Sequence, residues 1–282
     1  MTLTLTTAPG DVGPVDGPRA FDDALDPDVR FALLGRLEVV VHGRDMAPTA
    51  PRALQLLALL LLRPRQVVPT DTIVAELWGD RPPKRARAAV QTHVYQLRQC
   101  FSDLGLAGDP DRVLVTRAPG YALEVDPART DLHAFDAGCR EGRDALAEGR
   151  VDEAAAQLRT AEDLWAGPPI ANVPPGSVLA VESVELLERR RAVRSARIDA
   201  DIDRGRHREL VGELSALVLA HPLDEGLHAQ LIRVLGRCGR RSDAMGVFRR
   251  LRDVLTAELG VEPGDEVADA YAELLTLGAD AA

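Results

Sequence analysis

The sequence predicts a mainly α-helical protein of two domains, with its β-structure confined to the first half and an all-helical stack after it. Three observations lead there. Runs rich in β-branched residues, such as Val39-Val40-Val41 and Val113-Leu114-Val115-Thr116, occur before residue 127, and strand signals disappear beyond it. From about residue 132 onward, apolar residues recur at helical spacing between Gly and Pro breakers. The length of 282 residues is roughly that of two domains.

The expected domains are an acidic disordered tail over 1–28, an N-terminal domain over 29–127 and a helical domain over 128–282. The tail carries six Asp, one Arg and scattered Pro and Gly, with neither the basic start nor the apolar stretch of a signal peptide. Order begins at Phe31, where 31–41 reads as a strand, a turn centred on Gly35 and a second strand, with 42–46 closing a small sheet. Over 50–62, Ala53, Leu56, Leu57, Leu60 and Leu61 fall on one helical face, and Pro64 stops the helix. A second helix over 72–78 is capped by Thr70 or Asp71, with Gly79 past its end.

A third helix follows Pro82-Pro83. Its apolar positions Ala86, Val90, Val94, Leu97 and Phe101 form one stripe, with Lys84, Arg85, Ala88, Gln91, Thr92, Tyr95, Gln96 and Gln99 opposite and Arg87 and Arg98 on the flank. After a loop over 105–111, two strands joined by Arg117-Ala118-Pro119-Gly120 complete the domain. Beyond a linker at 127–131, helices are expected over 132–148, 151–165, 178–204, 209–220, 224–235, 242–259 and 265–277. The helix pair over 207–240 spans about 34 residues, the period of a tetratricopeptide-like stack.

Composition narrows the chemistry. The 34 basic residues comprise 33 arginines and the single lysine Lys84, which lies between Pro83 and Arg85, so no phosphate-cradling P-loop is present. Cys100, Cys139 and Cys238 are odd in number and widely spaced, which indicates neither a disulfide framework nor a cysteine zinc site. A reducing cytoplasm, in association with the nucleoid, is the expected location. The longest apolar run, 56–62, is far below a membrane span. The six histidines form no HExxH pair, and no GxSxG element occurs. No catalytic residue, metal site or cofactor is expected, and the chain is not read as an enzyme.

The formal net charge of −10 argues globally against a polyanionic partner, but its distribution reverses that. Between Arg44 and Arg98 stand nine basic and four acidic residues, a local +5, which leaves −15 for the rest. A basic face on an acidic protein favours docking on a polyanion through that face alone. Three helices followed by a two-stranded wing are the parts of a winged helix-turn-helix, whose third helix lies in the major groove of DNA. Gln, Thr and Arg side chains reach base edges, while Lys and Arg at the ends grip phosphates. The expected DNA-binding residues are Arg52, Lys84, Arg85, Arg87, Ala88, Gln91, Thr92, Tyr95, Gln96, Arg98, Gln99, Thr116 and Arg117. Ala88 permits close approach, and Arg117 at the hairpin tip is placed to enter the minor groove.

On these residues the sequence resembles the Streptomyces antibiotic regulatory protein family, activators that join an OmpR-type winged helix to a bacterial transcriptional activator domain. The resemblance spans about 31–277. It rests on Phe31-Ala32-Leu33-Leu34-Gly35, on 52–62, on Glu76-Leu77-Trp78-Gly79-Asp80 with Pro82-Pro83, on 90–98 and on Thr116-Arg117-Ala118-Pro119-Gly120-Tyr121. In the second domain it rests on Leu164-Trp165-Ala166-Gly167-Pro168 and Glu258-Leu259-Gly260-Val261-Glu262-Pro263.

The resemblance implies an activator of a secondary-metabolite (antibiotic) gene cluster that binds promoter direct repeats as a side-by-side homodimer. It also implies recruitment of RNA polymerase holoenzyme through sigma region 4 and the alpha C-terminal domain. The turn at 79–84 and the loop at 105–111 are candidates for those contacts. The chain resembles the short members, without the appended nucleotide-binding domain, and departs from the pattern at Tyr95 and Gln96, where relatives often carry basic residues. Two readings compete with activation: a repressor with the same fold, and a helical peptide-binding scaffold in which Trp165 beside Pro168-Pro169 serves a groove or plugs the helix packing.

Overall fold

The computed structural model describes residues 28–103 and 110–276. All but the last residue of the acidic tail expected over 1–28, most of the loop expected at 105–111 and the last residue of the final expected helix lie outside them.

The described chain forms two compact units. The described residues of 38–129 build the first, together with 28–30. Strand β2 (Glu38–Val41) pairs antiparallel with β3 (Arg44–Asp45). Helix α1 (Pro51–Leu61) starts on a proline, which suits a first turn whose N–H has no partner, and is buried from Ala53 through Leu61. Strand β4 (Val68–Pro69) leads directly into α2 (Thr70–Trp78), so the helix begins two residues before the expected Thr72. Pro69 occupies the N-cap, with no side chain capping there.

Helix α3 (Ala86–Asp103) buries Val90, Val94, Leu97 and Phe101 of the stripe its spacing predicts, while Ala86, at the first position, is only half-buried. Pro110 and Asp111, expected in a loop, open a short helix α4 (Pro110–Val113). Strands β5 (Leu114–Arg117) and β6 (Gly120–Leu123) then form the hairpin, and β4 joins it on the other side of β6 in the order β4-β6-β5.

That third strand was not expected, and it imposes a strict demand. Pro69 pairs with Gly120, and a Cβ on Gly120 would lie 1.8 Å from the Val68 carbonyl oxygen. Only glycine lets the two backbones approach this closely.

The second unit contains Thr130 onward and also Phe31–Leu37. The expected N-terminal domain over 29–127 included that segment. Part of its hydrogen bonding is with residues beyond 130: the Asp131 carboxylate accepts from Leu33 N and Leu34 N at 2.9 Å, and Asn172 accepts from Leu37 N at 2.6 Å. Ala166 N, Ile170 N and Ala171 N donate back to Leu34, Leu33 and Gly35 carbonyls. Strand β1 (Arg30–Ala32) lies at the start of this segment, and Phe31 bridges Thr130 in parallel.

Seven helices follow: α5 (Asp131–Ala147), α6 (Val151–Asp163), α7 (Ser177–Asp203), α8 (His207–Ala220), α9 (Glu225–Arg237), α10 (Arg241–Leu259) and α11 (Asp265–Thr276). Consecutive helices pack as neighbours, and α11 returns onto α9. Thr130 caps α5 and Asp224 caps α9. Trp165 is buried edge-on against Phe135, with ring centroids 5.4 Å apart, so it plugs the helix packing. Among the described residues no helix is long and apolar enough to cross a membrane.

Candidate nucleic-acid interface

The apolar stripe of α3 fixes which way the rest of the helix points. With Val90, Val94, Leu97 and Phe101 held inside, Ala88, Gln91, Thr92, Tyr95, Gln96 and Gln99 are all exposed. Tyr95 is 62% exposed, a large ring left in solvent on an otherwise well-packed helix. The side chains of Gln91, Tyr95 and Gln99 make no hydrogen bond with the described residues. Thr92 Oγ1 donates to the Ala88 carbonyl one turn back, and Gln96 Oε1 lies 3.0 Å from His93 Nδ1. These are local contacts within one helix and leave the polar face presentable.

Lys84 and Arg85, expected on the helix, sit in the turn just before it, where Ala86 N donates to the Pro83 carbonyl. They are exposed beside the first turn of α3, whose free N–H groups add positive potential to theirs. Arg87 pairs with Asp71 at 2.9 Å, both fully in solvent, so the pair contributes little and is readily exchanged. Arg52 donates to Gln55 Oε1 at 2.8 Å, and Gln55 in turn donates to the Glu76 backbone and carboxylate inside the unit.

Three expected DNA-contacting residues also have partners within the unit. Arg98 donates to the Leu114 carbonyl and to Thr116 Oγ1, and pairs with Asp111 at 2.8 Å. Thr116 is thereby engaged by the same guanidinium. Arg117 is half-exposed next to the hairpin turn at Ala118 and Pro119, yet its Nη1 lies 2.9 Å from Oε1 of Glu124, which is only 5% exposed. A carboxylate buried that deeply requires a partner, so inserting Arg117 into a groove would strand it.

Sequence reasoning places Thr70 only as a candidate cap of the second helix and misses its tie to the wing. Its backbone N and Oγ1 both donate to the Pro119 carbonyl, at 3.2 and 3.0 Å, and tie the start of α2 to the wing turn. The available signal was Val68-Pro69, a two-residue strand followed at once by a polar helix start.

The fold and this face define a class, a winged-helix DNA-binding unit joined to a helical regulatory domain. Comparison with known proteins agrees. The family profile described as Transcriptional regulatory protein, C terminal, matches residues 44–123, and that of the Bacterial transcriptional activator domain matches 130–275. Regulatory protein DnrI of Streptomyces peucetius is 40% identical over 238 residues, covering 83% of this chain and 88% of its own.

Transcriptional regulatory protein EmbR of Mycobacterium tuberculosis is 32% identical over 83% of this chain, which spans 60% of that protein. Regulatory protein AfsR of Streptomyces coelicolor is 36% identical, again over 83% of this chain, but this chain spans only 23% of it. A solved structure of Mycobacterium tuberculosis EmbR in complex with a low-affinity phosphopeptide superposes with a TM-score of 0.83 at 31% identity, covering 88% of this chain and 65% of that one. The chain belongs to the Streptomyces antibiotic regulatory protein family of transcriptional regulators.

Proposed function

We propose that the chain is a sequence-specific activator of a secondary-metabolite gene cluster, binding promoter direct repeats through α3 as a side-by-side homodimer. One observation carries this reading: every side chain on the face of α3 opposite its buried stripe is exposed, and Gln91, Tyr95 and Gln99 are uncommitted. Gln91, Thr92, Gln96 and Gln99 offer the donors and acceptors that read base edges, Tyr95 adds an apolar surface for thymine methyls, and Ala88 lets the helix approach. Lys84, Arg85, Arg87 and Arg52 supply phosphate contacts that set register without reading sequence. Arg98, Thr116 and Arg117 leave the base-reading set and position the wing.

Activation through polymerase contacts is supported by the kinship with transcriptional regulators and by the match to an activator domain. The phosphopeptide in the EmbR structure belongs to that protein, of which this chain spans only part, and is not carried over.

The test is footprinting of the full chain on promoters of the gene cluster around its own coding sequence, followed by transcription in vitro with purified holoenzyme. Protection of two repeats in tandem and a rise in transcript are expected. A fall in transcript on the same promoter makes the protein a repressor, and no protected site overturns the reading.

A further inference from the structure

The helical unit holds a cavity that DNA binding does not use. Helix α5 is pressed onto α6 at Gly142, where a Cβ would stand 2.6 Å from Leu158 Cδ2. Helix α7 also packs against α6. Ala192 and Ala196, one turn apart on α7, are too small to close the space between it and α5. What remains is a cavity of about 370 Å³, within the range that takes a small molecule.

Its floor is apolar, made by Leu158, Ala192, Val193 and Ala196 with the buried Cys139. Its rim is cationic. Arg189 is held in place by an ion pair with Asp136 and by the Phe135 ring, 5.4 Å from its guanidinium carbon. Arg140 and Arg143 also line the cavity, and neither has an ion pair or hydrogen bond with the described residues. Other arginines nearby are matched: the buried or half-buried Arg197 and Arg194 to Glu162, and the exposed Arg159 to Asp201. Unbalanced positive charge is therefore concentrated at the mouth of an apolar hole.

We propose that this cavity binds a small apolar molecule bearing one carboxylate, with the carboxylate on Arg140 and Arg143 and the apolar body against Leu158, Ala192 and Ala196. Two guanidiniums three residues apart on one helix can serve a carboxylate's two oxygens, and the floor rewards a body that a bare inorganic anion lacks. A molecule seated there touches both α5 and α7 and stabilises the helical unit by mass action.

The experiment titrates the full chain with 2-naphthoate, with decanoate and, as controls, with 2-naphthalenemethanol and inorganic phosphate, reading calorimetry, the melting midpoint and alkylation of Cys139. At least one of the two carboxylates is expected to bind at one site, raise the midpoint and slow Cys139 alkylation, while both controls bind at least about tenfold more weakly. The exposed double variant Arg140→Gln/Arg143→Gln should keep the midpoint of the free protein and lose about tenfold or more in carboxylate affinity. Ala192→Leu, which fills the cavity without touching its charge, should lose as much.

Failure of both carboxylates to bind at millimolar concentration overturns the proposal, as does binding that survives both variants. Phosphate binding as tightly as naphthoate overturns the apolar half of the assignment. None of these outcomes depends on DNA, so the site stands or falls separately from the DNA-binding reading.

Discussion

The Arg98 guanidinium reaches from α3 to the wing and donates to the Leu114 carbonyl from both Nε and Nη2, at 3.0 and 2.6 Å. Helix α3 and the hairpin are thus tied together by one side chain, only 24% exposed, which also holds Thr116 and Asp111. Arg98→Ala leaves that carbonyl without its donors and should cost about 1–3 kcal/mol of stability. Affinity should fall by a similar factor on operator and random DNA, because wing placement is lost and no base contact is. Urea denaturation and parallel binding assays on the two DNAs check it. A loss confined to the operator would return Arg98 to the base-reading set.

Gly120 is the second point of control over the wing. With 1.8 Å between a prospective Cβ and the Val68 carbonyl oxygen, Gly120→Ala must push β4 away from β6. Thr70, which binds the Pro119 carbonyl next door, moves with it. The expected destabilisation is about 2–3 kcal/mol, read as a lower urea midpoint. An unchanged midpoint would mean the two strands are not in register as described.

The α3 face separates into two kinds of residue that DNA binding distinguishes. Gln91→Ala should cost about 1–3 kcal/mol on the operator and almost nothing on random DNA. Lys84→Ala, at the entry turn, should weaken both and reduce the slope of log affinity against log salt by about one. Filter binding across a salt series distinguishes them. Equal behaviour of the two variants would remove α3 from the major groove.

The parts legible in the sequence are those fixed by local periodicity. The four- and three-residue spacing of Val90, Val94, Leu97 and Phe101 fixes which face of α3 is buried, and the same rule gives the helices of the second unit. The missing parts depend on partners far along the chain. Leu33 meets Asp131 across 98 residues and Leu37 meets Asn172 across 135, so nothing near Phe31–Leu37 shows that it folds with the helices. Strand β4 is two residues long and carries no alternation. Arg117 is an exposed turn arginine by sequence, and only the fold reveals Glu124 behind it.

A fully buried cation of the helical unit gives the last prediction. Arg197, 1% exposed on α7, places Nε 2.6 Å from Glu162 Oε2 on α6, and its other nitrogens meet Asp201 and Glu213. Burial alone would raise the Glu162 carboxyl, but the hydrogen bond from Arg194 and the charge of Arg197 hold it below its ordinary value of 4.5. The unfolded chain therefore binds this proton more readily than the folded one. Its contribution is fully present above about pH 4.5 and disappears as pH falls through the lower folded value. Melting the protein along an acid series should show that loss. Glu162→Gln should flatten this part of the profile while lowering stability at neutral pH, because Arg194 and Arg197 lose their shared anion. Arg197→Met should cost about 3–5 kcal/mol, since it leaves the carboxylates of three helices without their common cation. A Glu162→Gln profile that still falls as steeply in acid would place the sensitivity in another carboxylate.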